Sequence, residues 1–402
     1  MALATTQPLR AEIEARLPER PFAIEFWDGT RVPPTADGGP TFTVRSPRAA
    51  AHLLRAPGQL GLGRAYVAGE LDVDDIDAVI GLMNAWQPPA LDFADRRALL
   101  WATVRAAGLA LPPRRPAAEL RPSGRRHSRA RDERAVRHHY DVSNEFFRLF
   151  LGPSMVYSCA IWRGGEMRTL EEAQEAKLDT VARKLDLAPG ARVLDVGCGW
   201  GAFPVRAAAV HGAEVVGITL SPPQAEEARR RAAEAGVADR VEIRVADYRD
   251  LAGERFDAIA SIGMVEHVGA ANIDLYARTL AGLLEPGGRL LNHGISRLRH
   301  GDREAGPFSE RYVFPDAAPL HLSRVQAALE RAGFVTRHVE EFGADYAETL
   351  RHWTRNLDAD LERATALAGP ERVRVWRLYL CAARNGFETG FLSIYQTLCT
   401  RT

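Results

Sequence analysis

A glycine-rich turn at the end of an apolar segment is the feature that most constrains this chain. The segment VLDVGCGWGAF runs from Val193 to Phe203, with glycines at positions 197, 199 and 201. Glycine adopts backbone conformations closed to other residues and lets a ligand approach the chain closely. A strand that ends in such a turn and continues into a helix predicts a ligand site at the carboxyl ends of a parallel sheet.

The residues that follow this turn alternate between strand and helix patterns. Short apolar runs that favour strands occur in the order ARVLDVG, AEVVGIT, VEIRVAD, FDAIASIG and GRLLNHGIS, and helical stretches separate them. Before the first run, TLEEAQEAKLDTVARKLDL begins with a capping box of Thr169 and Glu172, which predicts the start of a helix. This alternation predicts an α/β fold with a doubly wound parallel sheet.

Composition limits the classes of partner and compartment. A chain of 402 residues has room for a large catalytic domain and a smaller companion. Acidic and basic residues balance at 52 each, so no overall field selects nucleic acid. Four cysteines at irregular spacing predict neither a disulfide framework nor a metal site. Since the N-terminus lacks a signal-peptide core and no apolar run reaches about 20 residues, we expect a cytoplasmic protein without a membrane span.

Residues 1–112 predict an accessory domain. The stretch FAIEFWDGTRV reads as a hairpin that turns at Asp28 and Gly29, and SPRAAAHLLRA reads as a short helix opened by Ser46. The segment from Arg96 to Leu111 is apolar apart from one internal charge, Arg105. We expect a helix there, which either packs on the core or rests on a membrane surface.

Residues 113–139 differ from both neighbouring regions, because they are rich in arginine, proline and serine with little to bury. This composition predicts a linker between the accessory domain and a catalytic domain at residues 140–402. Arginines at this density also attract anionic lipid headgroups, by about 1 kcal/mol each near a membrane. The segment is therefore either a solvated linker or one that faces a membrane.

The glycine turn also indicates the kind of ligand. Its spacing is not that of the dinucleotide fingerprint, and it has no P-loop lysine. An acidic residue, Asp195, just before a G-x-G-x-G turn resembles motif I of S-adenosylmethionine-dependent methyltransferases. The second strand ends in VVGITLSPPQ, without the acidic residue that often binds the ribose, so Gln224 is our candidate for that contact. Asp247 is expected to accept from the adenine amine and Tyr248 to stack on adenine; the alternative for Tyr248 is a packing aromatic. The cofactor-binding residues predicted here are Asp195, Gly197, Gly199, Thr219, Leu220, Gln224, Asp247 and Tyr248.

A set of ordered motifs then narrows the family. The segments MVYSCAIW, LDVGCGWG, GITLSPPQ, DYRDL, IGMVEHVG, NHGIS and RYVFP, with GADYAETLRHW and YLCAARNGFETG, closely resemble the bacterial cyclopropane-fatty-acyl-phospholipid synthases and the mycolic-acid cyclopropane synthases. The resemblance covers residues 130–402, and GLGRAYVAGELDVD extends it to the N-terminal domain of the full-length bacterial enzymes. It implies a Rossmann-like class I methyltransferase domain with a mostly parallel seven-stranded sheet, an antiparallel last strand in FLSIYQTLCT, and a smaller N-terminal α/β domain.

The resemblance implies an enzyme that transfers a methylene group from S-adenosylmethionine to a cis double bond of a phospholipid-bound unsaturated acyl chain. The product is a cyclopropane ring, formed through a carbocation that bound bicarbonate deprotonates. Because the substrate lies in a bilayer, the resemblance implies a cytoplasmic protein associated peripherally with the inner face of the membrane. Members of the family often dimerise, so a homodimer is also implied.

The same resemblance implies a set of ligands. Bicarbonate would be held by the backbone of Cys159, by Glu266 and His293, by the backbone amide of Ile295 and by Tyr346. Cys159 would thus line an anion site without acting as a nucleophile. Tyr157 and Ser158 would reach the carboxylate end of adenosylmethionine. The segment HHYDVSNEFF, with Tyr140 and Asp141 as lesser candidates, would cover the cofactor.

One motif departs from the best-known pattern, which has His-Thr-Ile-Gly where this chain has HGIS, residues 293–296. Gly294 and Ser296 would change the wall around the anion. The alternative product is a 10-methylene branch, the precursor of a 10-methyl branch, which relatives in actinobacteria make from oleoyl chains. Two further alternatives are a lipid-binding protein without turnover and a small-molecule N-methyltransferase.

Overall fold

The computed structural model describes residues 5–56, 58–107, 114–120, 124, 126–129, 131, 134, 142–301, 306–317 and 319–402. Tyr140, Asp141 and parts of the predicted linker at 113–139 lie outside this description. Contacts divide the chain into two units, residues 1–120 with 369–382, and residues 121–368 with 383–402. Residues 369–382 thus group with the N-terminal unit, although they are far from it in the sequence. That residues 1–112 and 140–402 are independent domains stays a prediction.

The first unit combines a small sheet with helices. Its four strands lie in the order β2-β1-β3-β4, and β1 is antiparallel to β2 but parallel to β3. The predicted hairpin is confirmed by the pairing of Ile24 with Val32, with Gly29 at a positive φ of 78° in the turn. The elements are β1 Ala23–Glu25, β2 Arg31–Val32, β3 Thr41–Val44, β4 Leu71–Val73, α1 Gln7–Arg16, α2 Arg48–Arg55, α3 Gln59–Val67, α4 Ile76–Ala85 and α5 Phe93–Ala107.

The second unit alternates strands and helices along the chain. Its strands are β5 Arg192–Val196, β6 Glu214–Thr219, β7 Val241–Val245, β8 Phe256–Ile262, β9 Leu284–Arg297, β10 Phe334–Glu341 and β11 Leu392–Arg401. Its helices are α6 Asn144–Leu151, α7 Leu170–Leu185, α8 Ala202–His211, α9 Pro222–Glu234, α10 Val265–Val268, α11 Ile273–Leu283, α12 Pro307–Tyr312, α13 Leu322–Arg331, α14 Gly343–Ala359 and α15 Leu361–Ala368. The last helix, α16 Pro370–Glu388, contributes its first part to the first unit.

The sheet of the second unit confirms the predicted fold class. Seven strands lie in the order β10-β11-β9-β8-β5-β6-β7. The five strands from β5 to β9 all run parallel to one another. The last strand, β11, is antiparallel to both β9 and β10, as predicted. Strand order reverses at β5, which lies between β6 and β8. A reversal of this kind opens a crevice at the carboxyl end of the strand, which is where the glycine turn lies.

Both faces of this sheet are covered by helices. Leu194 and Ile259 belong to a buried cluster with Tyr276 and Leu280 of α11. Residues that alternate with them in the strands, such as Val193, pack instead with α7, α8 and α9. Since successive strand residues point to opposite faces, two apolar faces require helices on both sides. The near-continuous apolar strands of the sequence are explained in this way.

Local signals fix where the helices near the site begin. Thr169 and Glu172 form the predicted capping box at the start of α7. Ser221 caps α9 by accepting a hydrogen bond from the backbone N–H of Gln224, and prolines fill the first two helical positions. Proline suits these positions because their N–H groups have no partner within the helix. Gln224 therefore lies in the first turn of α9, as expected.

Three described arginines of the predicted linker, Arg126, Arg129 and Arg131, form ion pairs within the second unit, whereas Arg114 and Arg115 are exposed. The Arg126 and Arg131 guanidinium groups donate to the Asp316 carboxylate at 3.1 and 2.6 Å, and Arg129 donates to Asp250 at 2.7 Å. These ion pairs differ from the solvated arginines that composition suggested. Over the part of the chain that the structure describes, every helix is too short or too polar to cross a bilayer.

Candidate functional site

The glycine turn after β5 opens onto a large cavity. Gly197, Gly199 and Gly201 all have positive φ, of 82°, 53° and 80°. A Cβ atom on Gly201 would lie 2.8 Å from the Cβ of Ala228, so α9 can approach the turn only at a glycine. A Cβ on Gly199 would meet no atom within 4 Å, because this part of the turn faces open space. Gly201 thus serves packing, whereas Gly199 leaves backbone accessible to a ligand.

The cavity collects every residue that the sequence predicted for the cofactor. It contains about 1390 Å³ of free space, a figure that includes open solvent at its mouth. Its lining includes all ten of the predicted residues, namely Tyr157, Ser158, Asp195, Gly197, Gly199, Thr219, Leu220, Gln224, Asp247 and Tyr248. The residues present therefore fit adenosylmethionine, in a crevice shaped by the strand reversal.

The polar end of β6 offers donors in place of the missing acidic residue. The Thr219 hydroxyl donates to Oε1 of Gln224 at 2.8 Å. This bond orients the amide, so that the Nε2 group of Gln224 is available for an acceptor such as a ribose hydroxyl. Both side chains are buried and line the cavity.

Asp247 and Tyr248 have structural partners as well as cavity positions. Asp247 accepts from Nε of Arg249 at 2.8 Å and from the Arg249 backbone N–H at 2.9 Å. Burial raises the pKa of Asp247, but these hydrogen bonds outweigh burial and hold the pKa below its ordinary value. Tyr248 packs edge-on against Tyr276 at 5.7 Å between ring centroids. Tyr248 is therefore a packing aromatic of the core that also lines the cofactor cavity.

Glu266 is the first of the residues expected to hold an anion. It lies on the short helix α10, is only 6% exposed, and accepts the Ile295 backbone N–H on Oε1 at 2.6 Å. Burial raises the pKa of Glu266 to about 7. Its second oxygen, Oε2, has no hydrogen-bond partner among the described residues. The Ile295 amide is thus turned toward Glu266, and one carboxylate oxygen remains for another ligand.

His293 is fully buried, and its hydrogen bonds define its tautomer. It lies opposite Gln396 across β9 and β11, and Nε2 of Gln396 is 3.4 Å from Nδ1 of His293. Lys184 donates to Oε1 of Gln396 at 2.6 Å, which fixes the amide with its NH₂ group toward the ring. Nδ1 therefore accepts and Nε2 carries the proton. Burial lowers the pKa of His293 well below its usual value, so the ring is neutral, and Nε2 has no partner among the described residues.

Cys159 and Tyr346 both lie next to Phe342, whose ring is close to that of His293. The Cys159 thiol donates to the Ala160 carbonyl at 3.0 Å and lies 3.7 Å from the Phe342 carbonyl, which also accepts the Tyr346 backbone N–H. The His293 and Phe342 rings are 6.0 Å apart. Burial raises the pKa of Cys159 well above its ordinary value, so the group is a thiol rather than a nucleophilic thiolate.

The residues predicted to hold an anion lie outside the lining of the cofactor cavity. Cys159, Glu266, His293, Ile295 and Tyr346 do not belong to the cavity lining, but Ser158 and Met264, close to them in the chain, do. Among the described residues no hydrogen bond joins Glu266 to His293 directly; β9 connects them, because Ile295 follows His293 by two positions on the same face.

Sequence reasoning missed three charged residues of the cavity lining, Lys177, Arg249 and Asp316, of which Lys177 is the most deeply buried. Lys177 of α7 is 2% exposed and lines the same cavity as Asp195. A signal was available, because Gln174 and Lys177 occupy positions on the helix stripe that Leu178, Val181 and Leu185 fill with apolar side chains. Polar residues on a buried stripe indicate a site.

The departure at HGIS has a packing cause. A Cβ atom on Gly294 would lie 2.3 Å from Cγ1 of Val265, the residue before Glu266. The side-chain position of Gly294 therefore points at α10 rather than along the face that carries His293 and Ile295. Gly294 thus allows Val265, the residue before Glu266, to pack closely against β9.

Comparisons with known proteins agree with this geometry. The chain matches the family described as mycolic acid cyclopropane synthetase over residues 127–397. A probable fatty acid methyltransferase of Mycobacterium tuberculosis is 40% identical over 97% of this chain and 93% of its own length. A tuberculostearic acid methyltransferase of the same organism is 33% identical over 94% of this chain and 87% of its own length.

A solved structure has the same fold. The mycolic acid cyclopropane synthase CmaA1, in complex with SAH and CTAB, is 33% identical and has a TM-score of 0.63. It covers 67% of this chain and 98% of its own. The chain therefore belongs to the mycolic acid cyclopropane synthetase family, as an S-adenosylmethionine-dependent lipid methyltransferase.

Proposed function

We propose that the protein transfers one carbon from adenosylmethionine to a cis double bond in the acyl chain of a phospholipid and closes a cyclopropane ring. The observation that carries this proposal is the pair of buried polar atoms, Glu266 Oε2 and His293 Nε2, that lack partners among the described residues. Buried polar groups are costly unless a partner satisfies them. A bound anion beside the cofactor cavity would satisfy both.

Adenosylmethionine, when bound, supplies an electrophilic methyl group. The residues of the cavity have the task of holding it in line with the acyl chain. Gly199 leaves room for the ligand against the backbone, Gln224 presents its Nε2 group, and Tyr248 closes one wall. These roles are proposals that rest on the positions of the side chains.

Bicarbonate fits the neighbouring cluster and, when bound, supplies a base. Neutral His293 presents Nε2–H as a donor, which suits an anionic oxygen. Glu266, with a pKa of about 7, can accept or hold a proton at neutral pH. The Cys159 backbone, the Ile295 amide and the Tyr346 side chain are proposed to complete the cluster, and the amide would have to leave Glu266 or share its proton.

Exclusion of water is the remaining task of the protein, because water would quench a cation on the acyl chain. Aromatic rings pack beside the cavity: Phe147 lies 5.0 Å from Trp200, and Tyr157 lies 5.4 Å from Trp353, between ring centroids. Phe147 and Trp353 are fully buried. This apolar wall supports a dry reaction space.

A second candidate product is the methylene-branched chain. Two observations favour it: Gly294 lets Val265 pack against β9 next to Glu266, and two relatives with high coverage are named as methyltransferases of fatty acids. A shift in the position of Glu266 would alter which proton leaves, and proton loss after a hydride shift gives a branch in place of a ring.

The deciding experiment is gas chromatography with mass spectrometry of fatty-acid esters from a host that expresses the protein and is fed oleate. Both products add the same mass, so retention time and derivatisation of double bonds must distinguish them. A saturated cyclopropane product supports the proposal, and a product that keeps a double bond supports the second candidate. Absence of any product with purified protein, adenosylmethionine and phospholipid vesicles would contradict both.

The membrane is the proposed place of action. We propose peripheral association with the inner face of a bilayer, since the substrate is a lipid, and a homodimer as the assembly. The exposed aromatic rings of Phe93 and Trp101 on α5 support the first of these, and the second rests on the family alone.

A further inference from the structure

Lys177 is a buried cation with too few partners. Its side chain lines the cofactor cavity, is 2% exposed, and donates one hydrogen bond, to the Ser158 hydroxyl at 2.9 Å. No ion pair of Lys177 occurs among the described residues. An ammonium group has three donors, and a buried charge is tolerated only when it is paired or well solvated. Two of its donors thus remain for a ligand.

Asp195 is a buried anion on the same cavity. It is 2% exposed and lies at the end of β5, just before the glycine turn. Burial raises its pKa to about 7, and burial lowers the pKa of Lys177 to about 8, while each group counteracts the shift of the other. The two groups sense one another electrostatically, yet no direct ion pair joins them in the described structure. The cavity therefore presents a cation and an anion that a ligand can reach.

We propose that Lys177 and Asp195 together bind the zwitterionic amino acid end of adenosylmethionine. The Lys177 ammonium would take the carboxylate, and Asp195 would take the α-ammonium group. The inference rests on the proposed binding of adenosylmethionine in this cavity, and it does not depend on which lipid product is formed. It assigns a role to Lys177 that its place in an apolar helix stripe does not explain.

Ser158 links this site to the loop that was predicted to reach the carboxylate. Its hydroxyl accepts from Lys177, which leaves its own proton free to donate to the same carboxylate. Gln174, one turn before Lys177 on α7, holds the loop by donating to the Ser158 carbonyl at 3.2 Å. The helix α7 thus carries one donor, Lys177, and positions the other, Ser158, through Gln174.

Bicarbonate is another anion that Lys177 could bind. Lys177 also lowers the pKa of Cys159 and of His293 through its charge, although burial dominates both shifts, so it lies near the neighbouring cluster. A lysine alone could serve either anion. The buried Asp195 favours the zwitterion, because a second negative charge would repel bicarbonate and would attract an α-ammonium group.

The test compares two ligands and two proteins by isothermal titration calorimetry. Wild-type protein and Lys177→Met are titrated with adenosylmethionine and with decarboxylated adenosylmethionine, which lacks only the carboxylate. Methionine is unbranched and only one atom shorter than lysine, and it removes the charge. We expect the substitution to weaken adenosylmethionine binding about 10- to 100-fold and to leave the decarboxylated ligand almost unaffected. Wild-type protein should discriminate between the ligands by a similar factor.

Lys184→Met is the matched control, because Lys184 lies two turns further on the same helix and contacts Gln396 and Glu340. It should leave both affinities unchanged. Equal weakening of both ligands by Lys177→Met would overturn the proposal in favour of a structural role. Unchanged affinities with a higher requirement for bicarbonate in turnover would assign Lys177 to the other anion and also overturn it.

Two further measurements allow a decision even if Lys177→Met does not fold or the protein makes no lipid product. If Lys177→Met does not fold, absence of discrimination between the two ligands by the wild-type protein overturns the proposal. If it folds, thermal unfolding without ligand should show no loss of stability, since an unpaired buried charge has been removed. Failure of the proposed lipid reaction would appear as ligand binding without product, which leaves these affinities intact.

Discussion

Glu266 is a carboxylate whose ordinary pKa would make it a poor proton acceptor. Burial raises its pKa from 4.5 to about 7, and its hydrogen bond from Ile295 offsets only part of this. We predict that turnover rises with pH through about 7, as Glu266 loses its proton. In Glu266→Gln this dependence should vanish and kcat should fall by about 10²- to 10⁴-fold, with adenosylmethionine affinity retained.

The measurement is a pH profile of kcat for both proteins, together with ligand affinity. A profile in Glu266→Gln that keeps the limb near pH 7, or unchanged turnover, would remove Glu266 from the proton path. The matched control is Glu285→Gln, a carboxylate of the same sheet outside the cluster. Its profile should match that of the wild-type protein.

The same pKa predicts an effect on stability. Below about pH 4.5 the Glu266 carboxyl is protonated in both folded and unfolded chains, so its shifted pKa does not lower the free energy of unfolding. As pH rises from 4.5 to 7, the unfolded chain releases a proton that the folded chain retains, and stability falls by on the order of 3 kcal/mol. Glu266→Gln should therefore be the more stable protein above pH 7, by urea unfolding, and should lose this advantage near pH 4.5. An advantage that is independent of pH would contradict the shifted pKa.

Gln396 positions a proton without contacting the reacting groups. Its amide, oriented by Lys184, faces Nδ1 of His293, and the proton of the ring is thereby kept on Nε2. We predict that Gln396→Met lowers kcat about 10-fold through loss of one hydrogen bond, while adenosylmethionine affinity stays the same. Nitrogen-15 NMR of the histidines should show a gain of the Nδ1–H form. Loss of activity without a change of tautomer would refute the positioning role.

At the scale of the element, α5 has two different faces. Ala102 and Ala106 are buried in a cluster with Leu9, so one face packs on the core as the simpler prediction held. Phe93 and Trp101, which are 81% and 62% exposed, lie eight residues apart on the other face. Arg97 and Arg105 are also exposed, and each follows one of these aromatic residues by four positions, so they lie on the same face. Aromatic rings beside arginines suit the interface of an anionic bilayer.

We therefore predict that Phe93→Ser with Trp101→Ser weakens sedimentation with vesicles of anionic phospholipid at least 10-fold, because both rings would otherwise bury apolar surface in the bilayer. Val210→Ser removes an exposed apolar residue from α8 of the second unit and should bind as the wild type does. Binding that responds equally to the double substitution and to the control would argue against α5. Arginines 126, 129 and 131 are already paired with carboxylates, so their replacement should matter less.

The elements near the site were predictable wherever the signal is local. The glycine turn, the capping box at Thr169 and the proline-rich start of α9 each lie within a few residues, and all three begin helices where expected. The tautomer of His293 was not predictable, because Gln396 lies 103 residues away in the chain and meets it only through strand pairing. Lys177 was missed because an isolated lysine in a helix is usually solvated, although its position on the apolar stripe of α7 already indicated burial.

The whole molecule does not divide in the order of its sequence. The first part of α16 lies in the N-terminal unit, where Cys381 packs with Tyr66 and Ile80. Arg374 fastens the same helix by donating to the carbonyls of Tyr66 and Leu71 at 2.6 and 2.9 Å. A prediction from chain order could not include this return of the chain, since the partners are more than 300 residues apart.

This return predicts how a shortened protein should behave. Residues 121–402 alone would keep every residue of the cofactor cavity, so the fragment should bind adenosylmethionine. It should also self-associate, because the apolar side of α16 at Leu378 and Cys381 would lose the residues that now cover it, and exposed apolar surface drives association. Light scattering after gel filtration measures this, and Leu378→Gln with Cys381→Ser in the fragment should reduce it. A fragment that associates no further than the whole protein, even without these substitutions, would show that α16 belongs to the catalytic domain, as a boundary at residue 140 requires.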